Sequence, residues 1–335
     1  MGVLKMYFYC SKCKKNYPIN TRSYQCECGG LFKLFKDPSE ILHNSVSLGE
    51  VETPLLKMKI NKLNLFLKLE QFHATGSFKD RGAFTMINQL KNVGIREIVE
   101  DSSGNAGAAM AAYAAAAGIK ASIYVPASTS SGKIKQIKAY GATVTEVAGA
   151  RDQTAAAVLE AAKTSYYASH VYNPLFFEGT KSLAYEIYHQ LHEQVPNYIF
   201  VPVGNGTMLL GLYYGFEEIG RLPKLIAVQS DHCKPLYQKF HNLPKTEITP
   251  TIAQGIAVGQ PQRLDEILLA IKNSQGDVIT VPDESILYAQ DVLARQGMYV
   301  EMTSAVAVAG ALQFFENGKP DNYQVIVPLT GMGMQ

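Results

Sequence analysis

Short apolar runs that alternate with helical patterns constrain the fold of this chain more than any other feature of its sequence. From Val51 onward, each run of strand-forming residues is followed by a segment with apolar residues at helical spacing. Continuous apolar strands separated by helices are typical of a mostly parallel sheet with helices on both faces. The sequence therefore predicts an α/β fold with doubly wound, open sheets.

The predicted elements follow from this alternation, and ligands in such sheets bind in the loops after the strands. We predict strands at Leu63–Leu69, Glu97–Asp101, Ala121–Pro126, Thr143–Val147, Tyr198–Val203, Leu225–Gln229, Val278–Val281 and Gln324–Leu329. We predict helices at Phe78–Asn92, Asn105–Ala117, Gly132–Tyr140, Ala155–Thr164, Gly179–Leu191, Thr207–Ile219, Leu264–Asn273, Ser285–Arg295 and Thr303–Phe315.

One of these loops carries a lysine at a helix start. Lys79 lies in the stretch Gln71–Gly82 (QFHATGSFKDRG), just after a turn of small residues. An amine at a glycine-loosened junction can be reached by a bulky ligand, which an amine in the middle of a helix often cannot. Taken alone, such a lysine is more often a solvated surface charge, so the neighbouring loops decide its interpretation.

Two further loops place small residues at helix starts. Ser102–Gly107 (SSGNAG) and Gly204–Thr207 (GNGT) each follow a predicted strand, and free amides at a helix start bind anions such as phosphate. Taken alone, the first is at least as well explained as a tight turn in which Asn105 caps the helix. The second lacks the lysine of a P-loop and the spacing of a dinucleotide-binding fingerprint. A lysine amine, a phosphate-binding loop and polar groups for a ring together indicate pyridoxal phosphate as the cofactor.

The cysteines are unevenly distributed: Cys10, Cys13, Cys26 and Cys28 lie close together, and Cys233 stands alone. In a reducing compartment such a cluster favours a metal over disulfides. The pattern resembles a zinc ribbon, in which four thiolates leave no open position for catalysis, so we predict a structural Zn²⁺. The alternative is four reduced thiols without an ion, since the second pair is separated by one residue where ribbons usually have two.

Composition narrows the class of protein. The chain has 335 residues, 47% hydrophobic and 18% charged residues, and a net charge of +2. These values are ordinary for a globular protein and argue against a dedicated nucleic-acid binder. The alanine-rich run Ala106–Ala117 is too short to span a membrane, and no signal peptide is evident at the N-terminus. We expect a cytoplasmic protein whose partner is a small amino-acid substrate, with no nucleic acid and no membrane.

The motifs taken together resemble the fold-type II, or tryptophan synthase β, family of pyridoxal-phosphate enzymes, and within it the threonine synthases. Thr75–Gly82 (TGSFKDRG) matches the family's lysine motif, although His73 and Ala74 stand where Asn-Pro is usual. The resemblance covers nearly the whole chain, including the N-terminal ribbon that many threonine synthases carry. It implies the tryptophan synthase β-like fold and pyridoxal 5′-phosphate as cofactor.

The resemblance also implies roles for single residues. Lys79 is expected to be the catalytic lysine, forming a Schiff base with the cofactor that Phe78 contacts. Asn105 is expected to hydrogen-bond the 3′-oxygen of the ring, and Thr330 to face its pyridine nitrogen. The phosphate is expected at Gly204, Asn205, Gly206 and Thr207, although threonine synthases usually have glycine in place of Thr207. The expected substrate-binding residues are Ser102, Ser103, Gly104 and Ala106.

One more consequence concerns the ring nitrogen, and one further motif resembles the family. Since the hydroxyl of Thr330 carries no negative charge, it does little to keep that nitrogen protonated, and Lys79 is expected to move the protons. Glu301 and Ser304 fall in a segment that resembles the family's E-P-A-S-A-A, with Met302 in place of the proline.

The substrate is left open by two departures from the family pattern. In Asn173–Lys181 (NPLFFEGTK), Phe176 stands where threonine synthases have an arginine expected to hold the phosphate of O-phosphohomoserine. An aromatic ring cannot replace a guanidinium in binding a dianion. Ala106 stands where a threonine is typical. These losses on the substrate side, with the cofactor motifs retained, suggest a changed substrate.

Two hypotheses about the enzymatic function follow. The leading one is a lyase of threonine-synthase type, with α-deprotonation and then β- or γ-elimination or replacement on O-phosphohomoserine or a relative. The alternative is an amino-acid ammonia-lyase or dehydratase, or a β-replacing enzyme like cysteine synthase, acting on a non-phosphorylated substrate. A degenerate binding protein is disfavoured by the intact Lys79, Asn105 and Thr330.

The resemblance predicts a three-part organisation. Residues 1–36 form the zinc-ribbon-like segment, residues 37–83 and 169–335 the large cofactor-binding domain, and residues 84–168 a smaller, mobile domain that closes over the substrate. The family is commonly dimeric, so a homodimer is expected.

Overall fold

The structure is a computed structural model that describes residues 6–129, 131–149, 151–317, 320 and 322–333. Its strands are β1 (Met6–Cys10), β2 (Asn16–Tyr17), β3 (Phe32–Lys36), β4 (Leu55–Ile60), β5 (Leu63–Leu69), β6 (Glu97–Glu100), β7 (Lys120–Pro126), β8 (Thr143–Val147), β9 (Tyr166–Tyr167), β10 (Tyr198–Pro202), β11 (Lys224–Ser230), β12 (Asp277–Val281) and β13 (Val325–Leu329). Its helices are α1 (Lys79–Asn92), α2 (Asn105–Ala117), α3 (Ser131–Ala139), α4 (Arg151–Ala161), α5 (Pro174–Thr180), α6 (Ser182–Gln190), α7 (Thr207–Ile219), α8 (Pro235–Phe240), α9 (Leu264–Asn273), α10 (Asp283–Arg295) and α11 (Met302–Phe314).

The chain divides into two compact units. The first contains the described residues up to Glu50 together with Lys79–Gly179, and the second contains Val51–Phe78 together with the described residues from Thr180 onward. These boundaries differ from the predicted ones at 36/37, 83/84 and 168/169, because the N-terminal segment shares a hydrophobic core with α1 and α2. The predicted domain roles, including the mobility of residues 84–168, stay predictions.

The first unit contains two sheets. A small antiparallel sheet has the order β2-β1-β3, and a fully parallel sheet has the order β8-β7-β6-β9. Helix α2 is almost entirely buried, with Ala109 and Ala114 at 0% exposure, because its alanines allow close packing. The predicted open, parallel sheet is confirmed here, since β6 pairs parallel to β7 and β9, and β7 pairs parallel to β8.

The second unit is built on one six-stranded sheet of order β12-β11-β10-β13-β5-β4. Its neighbouring strands are parallel except for β4, which pairs antiparallel to β5 at the edge. Helix α11 packs on this sheet with an alanine- and valine-rich surface that includes the fully buried Val306 and Val308. The predicted mixed α/β class is therefore confirmed for both units.

The predicted elements differ from the observed ones at a few places. The helix predicted at Gly179–Leu191 corresponds to α6, and the preceding α5 was not predicted, although Pro174 at its first position favours a helix start. Strands β1–β4 and β9 and helix α8 were not predicted. Among the described residues, no helix has the length and apolar character that crossing a bilayer requires.

Candidate active site

Lys79 is the first residue of α1, in the first unit, and its side chain is half-buried. Its Nζ lies 5.6 Å from the centroid of the Phe176 ring. Phe176 is 0% exposed and packs closely on α1, because a Cβ at Gly82 would lie 2.5 Å from Cδ1 of the ring. Phe176 is thus a core residue next to the amine rather than a surface side chain.

The residues just before Lys79 in the chain are fixed by main-chain hydrogen bonds in the second unit. Phe78 N donates to Thr330 O at 3.0 Å, and Met332 N donates to Gly76 O at 3.0 Å. Gly76 has a φ of 83°, which favours glycine, and this turn directs the chain towards the segment after β13. The pairing holds Phe78, the neighbour of Lys79 in sequence, next to Thr330.

Thr330 is 2% exposed and belongs to a small hydrogen-bond network in the second unit. Its Oγ1 donates to Glu301 Oε1 at 2.6 Å and lies 2.9 Å from Ser304 Oγ. Ser304 Oγ also accepts a hydrogen bond from Gly331 N at 3.1 Å. Because the hydrogen of the Thr330 hydroxyl is directed to Glu301, the Thr330 oxygen is left to act as an acceptor.

The loop between β10 and α7, residues Gly204–Thr207, is termed the phosphate loop. Gly206 precedes α7 with a φ of 77°, and a Cβ there would lie 2.3 Å from Ile267 Cδ1. A Cβ at Gly204 would lie 2.9 Å from Ile256 Cα. Both positions therefore require glycine, and the first amides of α7 lack partners within the helix, as at every helix start. Such a loop suits an anion, and Thr207, which is 3% exposed, adds a hydroxyl.

The loop Ser102–Asn105 precedes α2 in the first unit. Gly104 occupies the N-cap position and Asn105 is the first helical residue, so the alternative in which Asn105 caps the helix is wrong. A Cβ at Gly107 would lie 1.9 Å from Ser102 O, and only glycine permits that approach. Ser102, Ser103 and Gly104 are half-buried, whereas Ala106 is buried at 2% exposure.

The second unit offers a test of whether pyridoxal phosphate fits its residues. Ser77 is 0% exposed, and its Oγ has no hydrogen-bond partner among the described residues. A buried hydroxyl without a partner is costly, so an additional polar group beside it is expected. Together with the glycine-dependent phosphate loop and the acceptor at Thr330, this orphaned hydroxyl fits a bound, phosphorylated ring.

The four N-terminal cysteines lie together in the first unit. Their Sγ atoms are all within 4.8 Å of one another, with Cys10–Cys28 and Cys13–Cys26 both at 3.5 Å. A tetrahedral zinc site with Zn–S bonds of ~2.3 Å separates its sulfurs by about 3.8 Å, so the cluster has the size that zinc requires. Tyr17 donates a hydrogen bond to Cys26 Sγ at 3.1 Å, and this bond is the main cause that lowers the pKa of Cys26 to about 6.

Three polar residues near these loops were missed by sequence reasoning: Ser77, Glu100 and His170. Ser77 lies inside the lysine motif, so its position could have been noticed. Glu100 is a carboxylate at the end of a buried strand, shortly before the small-residue loop at Ser102. This position in the sequence could have marked it as a candidate site residue. His170 gives no such signal, because its partner Glu100 lies 70 residues away in the sequence.

Comparison with known proteins adds independent information. Residues 46–331 match a sequence model of the family described as pyridoxal-phosphate dependent enzyme. A threonine synthase from Methanocaldococcus jannaschii is 34% identical, over 97% of this chain and 92% of that protein. A threonine synthase from Methanosarcina acetivorans is 31% identical over 96% of this chain and 86% of that protein. Among solved structures, a pyridoxal 5′-phosphate-dependent aspartate racemase superposes with a TM-score of 0.76 at 25% identity, covering 85% of this chain and 91% of the racemase.

Proposed function

The chain belongs to the family of pyridoxal-phosphate dependent enzymes, and we propose that it is a lyase of the threonine-synthase type that acts on an activated amino acid. The observation that carries this proposal is that threonine synthases match nearly the whole chain rather than the cofactor motifs alone. The cofactor is pyridoxal 5′-phosphate, as throughout the family.

We assign the cofactor to residues at the starts of helices and the ends of strands. Lys79 would hold it through Nζ, with Phe78 in contact. The phosphate loop, Gly204, Asn205, Gly206 and Thr207, would bind the phosphate through the amides at the start of α7 and the Thr207 hydroxyl. The side chain of Asn105 would hydrogen-bond the ring's 3′-oxygen. The half-buried amine and the two crowded glycines support these assignments.

The chemistry divides between the cofactor and the chain. When bound, pyridoxal phosphate draws electron density from the Cα of an amino acid and so makes the Cα hydrogen acidic. Lys79 Nζ takes that proton and later returns one to the carbon skeleton. Because its own hydrogen is directed to Glu301, Thr330 Oγ1 would accept a hydrogen bond from the ring nitrogen, which requires that nitrogen to carry a proton, unlike the expectation drawn from the sequence. Glu301, which the sequence placed only in a family-like segment, is thereby the hydrogen-bond partner of Thr330.

The substrate carboxylate is proposed to bind at the loop Ser102–Asn105. Helix α2 begins there, and the amides at its start, including that of Ala106, favour a negative charge. The hydroxyls of Ser102 and Ser103 and the backbone of Gly104 complete the predicted substrate-binding set. Half-burial of Ser102, Ser103 and Gly104 supports a site that is shielded but reachable.

A second candidate function is supported by Phe176. The fully buried ring lies 5.6 Å from Lys79 Nζ, and an aromatic face attracts an ammonium group but offers nothing to a phosphate dianion. This favours the alternative of an ammonia-lyase, a dehydratase or a β-replacing enzyme with a non-phosphorylated substrate.

Turnover of defined substrates tests the proposal. Protein loaded with pyridoxal phosphate and given O-phospho-L-homoserine should release threonine and inorganic phosphate in equal amounts, and Lys79→Ala should release neither. If that substrate is inert while L-serine or L-threonine yields a keto acid and ammonia, the second candidate is correct. Cofactor binding without turnover of any of these compounds would contradict both.

For the cysteine cluster we propose a structural zinc ion held by Cys10, Cys13, Cys26 and Cys28. The compact set of four sulfurs supports it, since four thiolates at this spacing complete a tetrahedral zinc shell. Four reduced cysteines suit a reducing compartment, so a cytoplasmic location is part of the proposal. We also propose a homodimer, as the resemblance to a commonly dimeric family implies.

A further inference from the structure

A buried carboxylate lies directly behind the loop Ser102–Asn105. Strand β6 ends at Glu100, and β9 runs parallel beside it with Ile98 opposite Tyr166. Carboxyl ends of neighbouring parallel strands meet at one edge of the sheet, so the loop after β6 and the loop after β9 lie side by side. The first carries Ser102 and the second carries His170.

Glu100 joins these two loops. Its side chain is 0% exposed. Its Oε2 accepts a hydrogen bond from Ser102 N at 2.5 Å, and its Oε1 lies 2.7 Å from His170 Nδ1. A carboxylate only accepts hydrogen bonds, so the geometry assigns a hydrogen to His170 Nδ1. His170 N also donates to Oε1, at 3.5 Å, so Oε2 is bound by the first loop and Oε1 by the ring and the backbone of His170 in the second.

His170 connects this pair to the surroundings of the catalytic lysine. Its ring meets the Phe176 ring edge-on, with centroids 5.9 Å apart at 65°. The same Phe176 ring lies next to Lys79 Nζ and against Gly82 of α1. A contact series thus runs within the first unit from Lys79 through Phe176 and His170 to Glu100 and Ser102.

We propose that Glu100 and His170 are positioning residues that set the place of the loop Ser102–Asn105, and hence the affinity for the substrate carboxylate. The inference rests on the proposed function for the identity of the ligand. Glu100 accepts the hydrogen bond of the Ser102 amide and so fixes where the loop leaves β6. The His170 ring holds the carboxylate in that orientation through the shorter of the two hydrogen bonds from His170 to Oε1, since a buried carboxylate that loses a short hydrogen bond is driven to rearrange.

The test compares three variants of the enzyme loaded with pyridoxal phosphate. His170→Phe keeps a ring but removes the side-chain donor, whereas His170→Asn keeps a side-chain donor near the position of Nδ1. Tyr113→Phe is the control, because it removes a part-buried hydrogen bond from a buried side chain of the same unit to another carboxylate, Glu50, at 2.8 Å. Hydrogen exchange is measured on the peptide that spans residues 101–107, and KM and kcat are measured with the substrate that the turnover screen identifies.

In His170→Phe we expect amide exchange of this peptide to be faster by about tenfold or more, and KM to rise by a similar factor with kcat changed roughly threefold at most. His170→Asn should return both quantities to near the wild-type values, and Tyr113→Phe should leave them unchanged. If His170→Phe does not fold, His170→Leu, which is smaller and also lacks the donor, takes its place.

Unchanged amide exchange of this peptide in His170→Phe would overturn the inference. So would an equally large rise in exchange and KM in His170→Asn, or the same acceleration of exchange in Tyr113→Phe. A fall in kcat with unchanged KM would also overturn it. A failure of the proposed function would appear as wild-type protein without activity. Because hydrogen exchange does not depend on turnover, the exchange result would still decide whether Glu100 and His170 hold the loop.

Discussion

Lys68 on β5 and Lys79 on α1 show that the surroundings of a lysine decide its role. Lys68 is 0% exposed, and its Nζ donates to Thr53 O at 2.6 Å and to Glu186 at 2.6 Å, so it is an internal structural charge. Lys79 is half-buried at the start of α1. The flanking glycines distinguish Lys79 in the sequence, whereas the partner of Lys68 lies 118 residues away and is invisible there.

Thr330 leads to a prediction at the same scale. Thr330→Val keeps the shape of the side chain but removes the oxygen that we assign to the ring nitrogen. We expect kcat to fall by about tenfold or more, since a lost buried hydrogen bond costs ~1–3 kcal/mol, while the phosphate loop still binds the cofactor. Steady-state kinetics and the visible absorbance of the bound cofactor measure the two effects.

Thr330→Ser is the matched variant, because it restores the hydroxyl beside Glu301 and Ser304. We expect it to recover most of the activity. If Thr330→Val were as active as the wild type, Thr330 would not face the ring nitrogen.

At the scale of elements, the two ends of α7 allow a controlled comparison. Gly206 at the start has a φ of 77° and Gly220 at the end has a φ of 86°, but a Cβ would meet Ile267 only at Gly206, with no atom within 4 Å at Gly220. Alanine at either position costs ~1–2 kcal/mol of stability through backbone strain. Gly206→Ala adds crowding of ~1–3 kcal/mol and displaces the phosphate loop.

We therefore expect Gly206→Ala to weaken the binding of pyridoxal phosphate, and Gly220→Ala to leave it unchanged. Cofactor titration and the free energy of unfolding separate the two contributions. Equal cofactor affinity in both variants would show that the loop at the start of α7 does not bind the phosphate.

The N-terminal sheet β2-β1-β3 yields a prediction on metal content. Wild-type protein should contain one zinc per chain, and Cys26→Ser should lose it and unfold at a lower temperature, because a three-stranded sheet of this size has little core of its own. Elemental analysis and thermal unfolding are the measurements. Cys233→Ser is the control, since Cys233 is buried in the second unit far along the chain and should not alter zinc content. Zinc-free wild-type protein of unchanged stability would contradict the proposed site.

The sequence predicted best the elements that their own residue pattern marks as a strand or a helix. Strands β5 and β8 and helices α2, α7 and α9 coincide with their predicted bounds, because strand-forming and helix-forming residue patterns are local signals. Strand β9 has two residues and exists through pairing with β6, and β2, also of two residues, exists through pairing with β1. Such elements depend on distant partners, so a local pattern does not contain them.

At the scale of the whole molecule, the sequence predicted the α/β class, the cofactor and the enzyme family, which the comparisons confirm. It predicted residues such as Lys79, Asn105 and Thr330 because they adjoin element ends, where loops after buried strands carry recognisable motifs. It did not predict Ser77 as an orphaned hydroxyl or the pair of Glu100 and His170. Their significance arises from burial and from contacts between loops, which depend on the folded arrangement.

The central claim is that Lys79 holds pyridoxal phosphate in an enzyme of this family. The most direct test is to reduce the loaded protein with borohydride, which makes the link between cofactor and lysine permanent, and to locate the added mass by peptide mass spectrometry. We expect the label on the peptide that contains Lys79, and its loss in Lys79→Ala. A label on another lysine, such as Lys68 or Lys181, or no label on protein that has bound the cofactor, would contradict it.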